Sequence, residues 1–277
     1  MKHIEGTFKE PRGLNLFYQY WLPDQNPKAV LMIVHGLAEH SSRYTNIVNY
    51  FVPRAYAVCG FDYRGHGKSE GLRCYADRFS NYVSDVRAFF EKVHQEHSNL
   101  KIFLVGHSMG ATIAVAYAVQ YQRDLAGLII SGVGLKPGSS ISPALKAVAR
   151  LISVLSPKMG LTVLDATAIS RDKAVVDAYV NDPLVYRGKI TARLGAEMIN
   201  TIDRLPSLIP QIELPIIVMH GTEDRLCNPE GSQILYDLVG SRDKTLKLYK
   251  GFYHEIFNEP EHEKVMADVE TWLSAHI

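Results

Sequence analysis

The sequence predicts a doubly wound α/β fold that carries an inserted helical cap. Short apolar runs rich in β-branched residues recur at 30–34, 102–105, 128–130 and 216–219, each leading into a glycine or turn signal, as buried parallel strands do. Segments of helical period lie between or after them, at 79–93, 109–119 and 265–273, and alternating strands and helices build a parallel sheet wound on both faces. The alternation stops near Leu135 and resumes only at Ile216, an interval too long for an ordinary loop.

In chain order, residues 6–8 and 14–21 are expected to form an antiparallel hairpin at one sheet edge. The strand 30–34 follows, then a weaker one at 55–61, the helix 79–93, the strand 102–105, the Ala-rich helix 109–119 and the strand 128–130. The long interval has helical patterns of its own, through Ala144, Leu145, Val148, Leu151, Ile152 and Leu155 and again through Val175, Val176 and Tyr179. The strand 216–219, a weaker one at 245–249 and the helix 265–273 complete the chain. The expected division is a core domain of residues 1–134 and 206–277 with a cap of residues 135–205. No internal repeat is present.

Composition narrows the function. A chain of 277 residues with 47% hydrophobic and 21% charged residues buries a large core. Lys+Arg 30 against Asp+Glu 29 gives no global attraction to nucleic acid, so none is expected as a partner. Three cysteines at unrelated spacings, Cys59, Cys74 and Cys227, form neither a disulfide framework nor a C-x-x-C motif and suit a reducing, cytoplasmic setting. Residues 1–6 lack the apolar run of a secretory signal, and no stretch of 18 apolar residues occurs, so neither export nor a membrane span is expected. From Leu135 through Leu164 there is no acid, only Lys136, Lys146, Arg150 and Lys158. An apolar helix bordered by cations suits peripheral contact with a membrane or micelle, and equally suits a helix that packs on the core with its lysines in water.

The chemistry centres on Gly106-His107-Ser108-Met109-Gly110, directly after one strand and directly before a helix. A chance G-x-S-x-G match occurs about 0.1 times in a chain of this length, so the flanking elements decide: a sharp strand-to-helix turn is what lifts a nucleophilic serine out of a sheet. A serine hydroxyl needs a base to take its proton and a carboxylate to orient that base. Asp224, after the strand 216–219, and His254, after the last strand, supply them in the order Ser, Asp, His. The competing acid position, after the strand that follows the nucleophile helix, is empty, because residues 126–141 contain no Asp or Glu. Glu223 is the second candidate. His107, adjacent to the serine on a tight turn, points elsewhere and is not the base.

Acyl transfer also needs donors for the developing oxyanion. Met109 offers the backbone N–H after the nucleophile, and Leu37 in His35-Gly36-Leu37 offers another from an earlier loop, with His35 bracing it. Two patterns mislead. Asp62 to Ser69 ends like a phosphate loop but begins with Asp62 instead of glycine, and His262-Glu263 opens a zinc-protease pattern whose second histidine is Met266. No metal and no cofactor are expected.

Together, residues 35–44, 62–71, 106–110 and 224–227 resemble the monoacylglycerol lipases and related lysophospholipase-like serine hydrolases of the α/β-hydrolase fold, and the similarity runs over nearly the whole chain. The resemblance implies the triad Ser108, Asp224 and His254, the oxyanion donors Leu37 and Met109, and a glycerol end of the pocket shaped by Glu39, Arg43 and Tyr179. By themselves Glu39 and Arg43 read as well as an ion pair bracing their loop. Leu37 departs from the small residue often found there. The segment 62–71 is implied to be a hydrogen-bonding scaffold beside the site.

The expected function is hydrolysis of monoacylglycerols to fatty acid and glycerol through an acyl-enzyme on Ser108. Alternatives are a lysophospholipase or other carboxylesterase or thioesterase, an aminopeptidase that holds its substrate's ammonium group on Asp165, Asp172, Asp177 or Glu197, and a non-catalytic ligand-binding receptor.

Overall fold

The computed structural model describes residues 1–136 and 143–277, apart from the side chains of 143–146. Ala144, Leu145 and Lys146, named above for the cap, therefore lie outside the described side chains. Among the described residues the chain forms a sheet of eight strands, in the spatial order β1-β2-β4-β3-β5-β6-β9-β10. These are β1 (Lys2–Lys9), β2 (Asn15–Leu22), β3 (Ala29–Val34), β4 (Tyr56–Phe61), β5 (Ile102–His107), β6 (Gly127–Ser131), β9 (Ile216–Gly221) and β10 (Lys244–Tyr249). β1 pairs antiparallel with β2, and β2 antiparallel with β4. All later neighbours are parallel. The hairpin expected from residues 6–8 and 14–21 is this antiparallel edge, longer than its sequence pattern suggests.

The central strands are buried on both faces, and their alternation sorts them into two cores. Val30, Met32 and Val34 of β3 face one side with Leu104 of β5 and Val218 of β9, whereas Leu31 and Ile33 face the other with Phe103 and Ile217. The helices α2 (Ser80–Glu96), α3 (Met109–Tyr121) and α7 (Glu230–Leu238) cover the first face, and α1 (Thr45–Phe51) and α8 (His262–Ser274) cover the second. Two-faced burial explains why these strands read as continuous apolar runs. It also places all the parallel strands' C-terminal ends along one edge, where ligands of open α/β sheets bind.

Between β6 and β9 the chain leaves the sheet. This stretch holds α4 (Pro143–Leu155), the two short strands β7 (Gly160–Thr162) and β8 (Ile190–Thr191), α5 (Lys173–Asn181) and α6 (Ala192–Arg204). Sequence reasoning found α4 and α5 and missed α6. Its signal was present, since Leu194, Met198 and Ile202 recur every four residues behind the N-cap Thr191, whose hydroxyl accepts the Leu194 N–H. Gly195 in the middle masked it.

Candidate active site

Ser108 occupies the turn between β5 and α3 at φ 55° and ψ −121°. A residue with a side chain adopts such a conformation only where its surroundings enforce it, at a cost of order 1–3 kcal/mol. The flanking glycines show how. A Cβ on Gly110 would overlap the carbonyl oxygens of Val34 and His35, and one on Gly106 would press on Ala111 and Ala114. Only glycine lets α3 approach β3 and β5 this closely. Ser108 thus stands at the C-terminal end of the sheet.

Asp224 follows β9 and His254 follows β10, and the two are brought together across adjacent strands. The Nδ1–H of His254 donates to Asp224 Oδ2 at 2.6 Å. His254 Nε2 has no hydrogen-bond partner among the described residues, and His254 lines the same cavity as Ser108. Asp224 is nearly enclosed by donors. Its Oδ1 accepts the backbone N–H groups of Leu226 and Cys227 at 2.8 and 2.9 Å, and its Oδ2 accepts a second imidazole, His220 Nε2, at 2.9 Å. Burial works against the charged carboxylate, but the two histidines and the Cys227 amide outweigh it and hold Asp224 far below the usual carboxylate range. For His254 burial again opposes charge, yet Asp224, with help from Glu255 and Glu39, raises the imidazole above its ordinary value. Glu223 takes no part in these contacts. Sequence reasoning missed His220, which lies four residues before Asp224 at the end of β9 and reads there as an ordinary core histidine.

His107 packs its ring 4.7 Å from that of His254, and burial, aided by the His254 charge, pushes its pKa down to about 3. Its Nδ1 meets Ser131 Oγ at 3.3 Å. The backbone N–H groups of Leu37 and Met109 have no partner within the protein among the described residues, and both residues border the cavity at Ser108.

That cavity measures about 440 Å³ and is walled mainly by apolar groups, among them Phe79, Leu164, Ile190, Met198 and Ile202. A second space of about 10 Å³ also borders Ser108 and His254, together with Glu39, Tyr179 and Glu255. Arg43 borders neither space directly but shapes the smaller one by holding two residues of its wall, Glu39 and Glu255. Its guanidinium is spent inside the protein, donating to Glu39 at 2.5 Å and to both oxygens of Glu255 at 2.7 and 2.8 Å, and it lies 4.6 Å from the ring centre of Tyr179. Glu39 is also committed: its Oε1 accepts the Gly36 N–H at 2.5 Å and the Tyr44 hydroxyl at 2.8 Å. Burial would raise the Glu255 carboxyl, but Arg43 overrides this and holds it at about 2. The ion-pair reading of residues 39 and 43 therefore describes their geometry, enlarged by Glu255, a partner 212 residues away that only the fold reveals.

Arg43→Ala would leave two carboxylates buried without their cation. The expected result is a loss of about 3–5 kcal/mol of stability, read as a fall in the urea midpoint. Unchanged stability would show that the network contributes little to the fold.

The segment 62–71 is a web of hydrogen bonds beside the site. Asp62 Oδ1 accepts the Ser41 N–H and hydroxyl at 2.8 and 2.7 Å, and its Oδ2 accepts the Lys68 N–H at 2.9 Å. Arg64 bridges the buried carboxylates of Asp85 and Glu10.

Comparison with known proteins agrees with this geometry. A family model described as serine aminopeptidase, S33, matches residues 25–261. The monoacylglycerol lipase of Mycolicibacterium smegmatis is 37% identical over 273 residues, covering 99% of this chain and 98% of its own. Human monoglyceride lipase is 34% identical over 265 residues, covering 95% of this chain and 88% of its own. Among solved structures, a soluble variant of monoglyceride lipase from Saccharomyces cerevisiae in complex with a substrate analogue aligns with a TM-score of 0.88 at 26% identity, covering 100% of this chain and 95% of that one. A family match over most of the chain and relatives this similar at nearly full length lead to one assignment: the chain belongs to the serine aminopeptidase S33 family of α/β-hydrolases and, within it, to the monoacylglycerol lipases.

Proposed function

We propose that the protein hydrolyses the ester bond of monoacylglycerols, releasing fatty acid and glycerol. The observation that carries this reading is the placement of Ser108 and an Asp224-oriented His254 together at the border of a mainly apolar cavity of about 440 Å³. Ser108 Oγ attacks the ester carbonyl while His254 Nε2 takes its proton. The carbonyl oxygen becomes an oxyanion that the N–H groups of Leu37 and Met109 stabilise. As the intermediate collapses, the bond to glycerol oxygen breaks and His254 returns the proton to it, leaving the acyl chain esterified to Ser108. Water repeats the cycle, with His254 as base and then acid, and the fatty acid departs. The chain's own groups supply every proton transfer in this scheme.

Space at the nucleophile is unequal, about 440 Å³ in one cavity and about 10 Å³ in the other. One acyl chain fits the larger cavity, whereas a second must displace packed side chains, which costs about 1–3 kcal/mol or up to roughly a hundredfold in rate. In one detergent, monoacylglycerols should be cleaved at least about fivefold faster than diacylglycerols, with triacylglycerols slower still. Equal rates on mono- and triacylglycerols would refute this pocket, and a preference for lysophospholipids or amino-acid amides would transfer the assignment to those substrates. Among the described residues, the amide reading has one carboxylate at the cavity, Asp165. It accepts the Thr167 N–H and hydroxyl, with Arg225 in the same wall; Asp172 caps α5, Asp177 pairs with Lys173, and Glu197 pairs with Arg193.

The cap is where we place contact with the lipid surface. Leu151, Val154 and Leu155 of α4 are 60%, 70% and 73% exposed, and Leu161 and Val163, the latter at the cavity wall, are exposed as well. Exposed side chains this large and contiguous mark an interaction surface. Of the cations, Lys136 pairs with Glu230, Arg150 donates to Asn200 at 3.1 Å and Lys158 is exposed. No helix among the described residues is long and apolar enough to cross a membrane. The three cysteines are free, which fits a cytoplasmic enzyme that visits membranes. Replacing Leu151, Val154 and Leu155 by serine should abolish co-sedimentation with phosphatidylcholine–phosphatidylglycerol vesicles while sparing hydrolysis of a short soluble ester. Unchanged sedimentation would leave α4 as a packing helix only.

A further inference from the structure

The oxyanion donor Leu37 N–H belongs to the peptide unit that begins with the carbonyl of Gly36. A peptide is planar, with its C=O and N–H pointing in opposite directions, so whatever fixes the Gly36 carbonyl also aims the Leu37 N–H. Two side chains hold that carbonyl. The Tyr63 hydroxyl lies 2.5 Å from Gly36 O and 2.8 Å from His35 O, and His35 Nδ1 lies 2.8 Å from Gly36 O. Since Gly36 O only accepts, His35 carries its proton on Nδ1. Burial keeps His35 neutral and keeps the Tyr63 phenol protonated.

Tyr63 is fully buried and is itself held in place. Its ring stacks on His35 with centroids 3.8 Å apart and meets Tyr82 edge-on at 5.1 Å. On the other side of Gly36, the N–H is taken by Glu39 Oε1 at 2.5 Å. Both ends of this residue are thus tied to buried side chains, and the next residue but one, Ala38, has φ 66°. The loop turns out of the sheet with the Leu37 N–H at the cavity and without a partner among the described residues.

We propose that Tyr63 is a positioning residue of the oxyanion hole, whose hydroxyl holds the Gly36 carbonyl and so aims and polarises the Leu37 N–H. The physical basis is twofold. A fixed donor needs no reorganisation when charge develops on the substrate, and a carbonyl that accepts strong hydrogen bonds makes the N–H of its own peptide a better donor. The role rests on reading Leu37 as an oxyanion donor, and it gives a function to a residue of the 62–71 segment that sequence reasoning treated only as scaffold.

Tyr63→Phe keeps the stacked ring and removes only the hydroxyl. Removing an oxyanion donor outright costs about 10²–10³ in kcat; loosening one should cost roughly a tenth of that, about 10-fold or more. The loss is expected in kcat per serine titrated by a fluorophosphonate, with KM for a soluble aryl ester nearly unchanged. Affinity for an alkyl trifluoromethyl ketone, whose adduct carries the oxyanion, should fall in parallel. A purely structural role would lower thermal stability or the titratable fraction but leave turnover per titrated serine and ketone affinity as they are, and that result would overturn the proposal. Should Tyr63→Phe fail to fold, 3,5-difluorotyrosine at position 63 decides: the stronger donor should tighten ketone binding about twofold or more, and no change overturns the role. Wild-type protein that hydrolyses no ester would instead refute the reading of the site itself.

Discussion

Ser108→Ala is expected to abolish fluorophosphonate labelling and to lower kcat on esters by on the order of 10⁶, the size of loss when a serine nucleophile is removed from such a machine. Its residual rate should still exceed that in water, because the Leu37 and Met109 donors and the cavity remain. Ser108→Gly sharpens the test. The conformation at position 108, φ 55° and ψ −121°, strains any residue with a Cβ, so glycine relieves strain that serine and alanine both carry. This variant should be as inactive as Ser108→Ala yet more stable than the wild type by about 1–2 kcal/mol in urea unfolding. Activity and stability would then move in opposite directions at one residue, as they do where a fold stores strain for function. Labelling at another serine, or turnover retained in either variant, would remove Ser108 from the mechanism. In the wild type, hydrolysis requires neutral His254. Because Asp224 raises the imidazole pKa in spite of burial, activity should fall away on the acid side with a midpoint above the ordinary imidazole value of about 6.5.

Much of this was legible in the sequence because local chemistry and global position agree there. The strand before Ser108 is apolar on both faces, the glycines at 106 and 110 sit where helix and strands touch, and the acid and base each follow a strand of the same sheet. Those features are short-range and leave a trace in spacing. What the sequence did not disclose depends on pairs distant along the chain. Glu255 reads as a residue beside the base until the fold brings Arg43 against it, and that contact makes Arg43 a buried brace for Glu39 and Glu255, which both border the small space at Ser108. His220 reads as a core histidine until Asp224 folds back on it. α7 escaped notice because only Gly231, Ser232 and Leu235 of its residues are buried, too short an apolar stripe to register a period.

Asp224→Asn is expected to fold and to lose on the order of 10⁴ in kcat, the size of the analogous loss in serine proteases. The reason lies in the four donors around this carboxylate. Two are backbone N–H groups, of Leu226 and Cys227, on Oδ1, and two are imidazoles, of His254 and His220, on Oδ2. An asparagine has one oxygen and one NH₂ to offer them. Backbone amides cannot exchange their proton for a lone pair, so the oxygen must face Leu226 and Cys227 and the NH₂ must face the histidines. His254 then presents a bare Nδ1 and carries its proton on Nε2, the nitrogen that should receive the proton of Ser108. The base is blocked by its own tautomer while the fold keeps most of its hydrogen bonds. Two measurements separate this account from simple destabilisation. The urea midpoint of Asp224→Asn should lie within about 1–3 kcal/mol of the wild type, whereas turnover per correctly folded molecule collapses. The acid limb of its residual activity should also move to lower pH, since the charge that raised the His254 pKa is gone. A Glu223→Gln variant, which touches none of these donors, should remain active; if it were the inactive one and Asp224→Asn the active one, the acid would have to be reassigned.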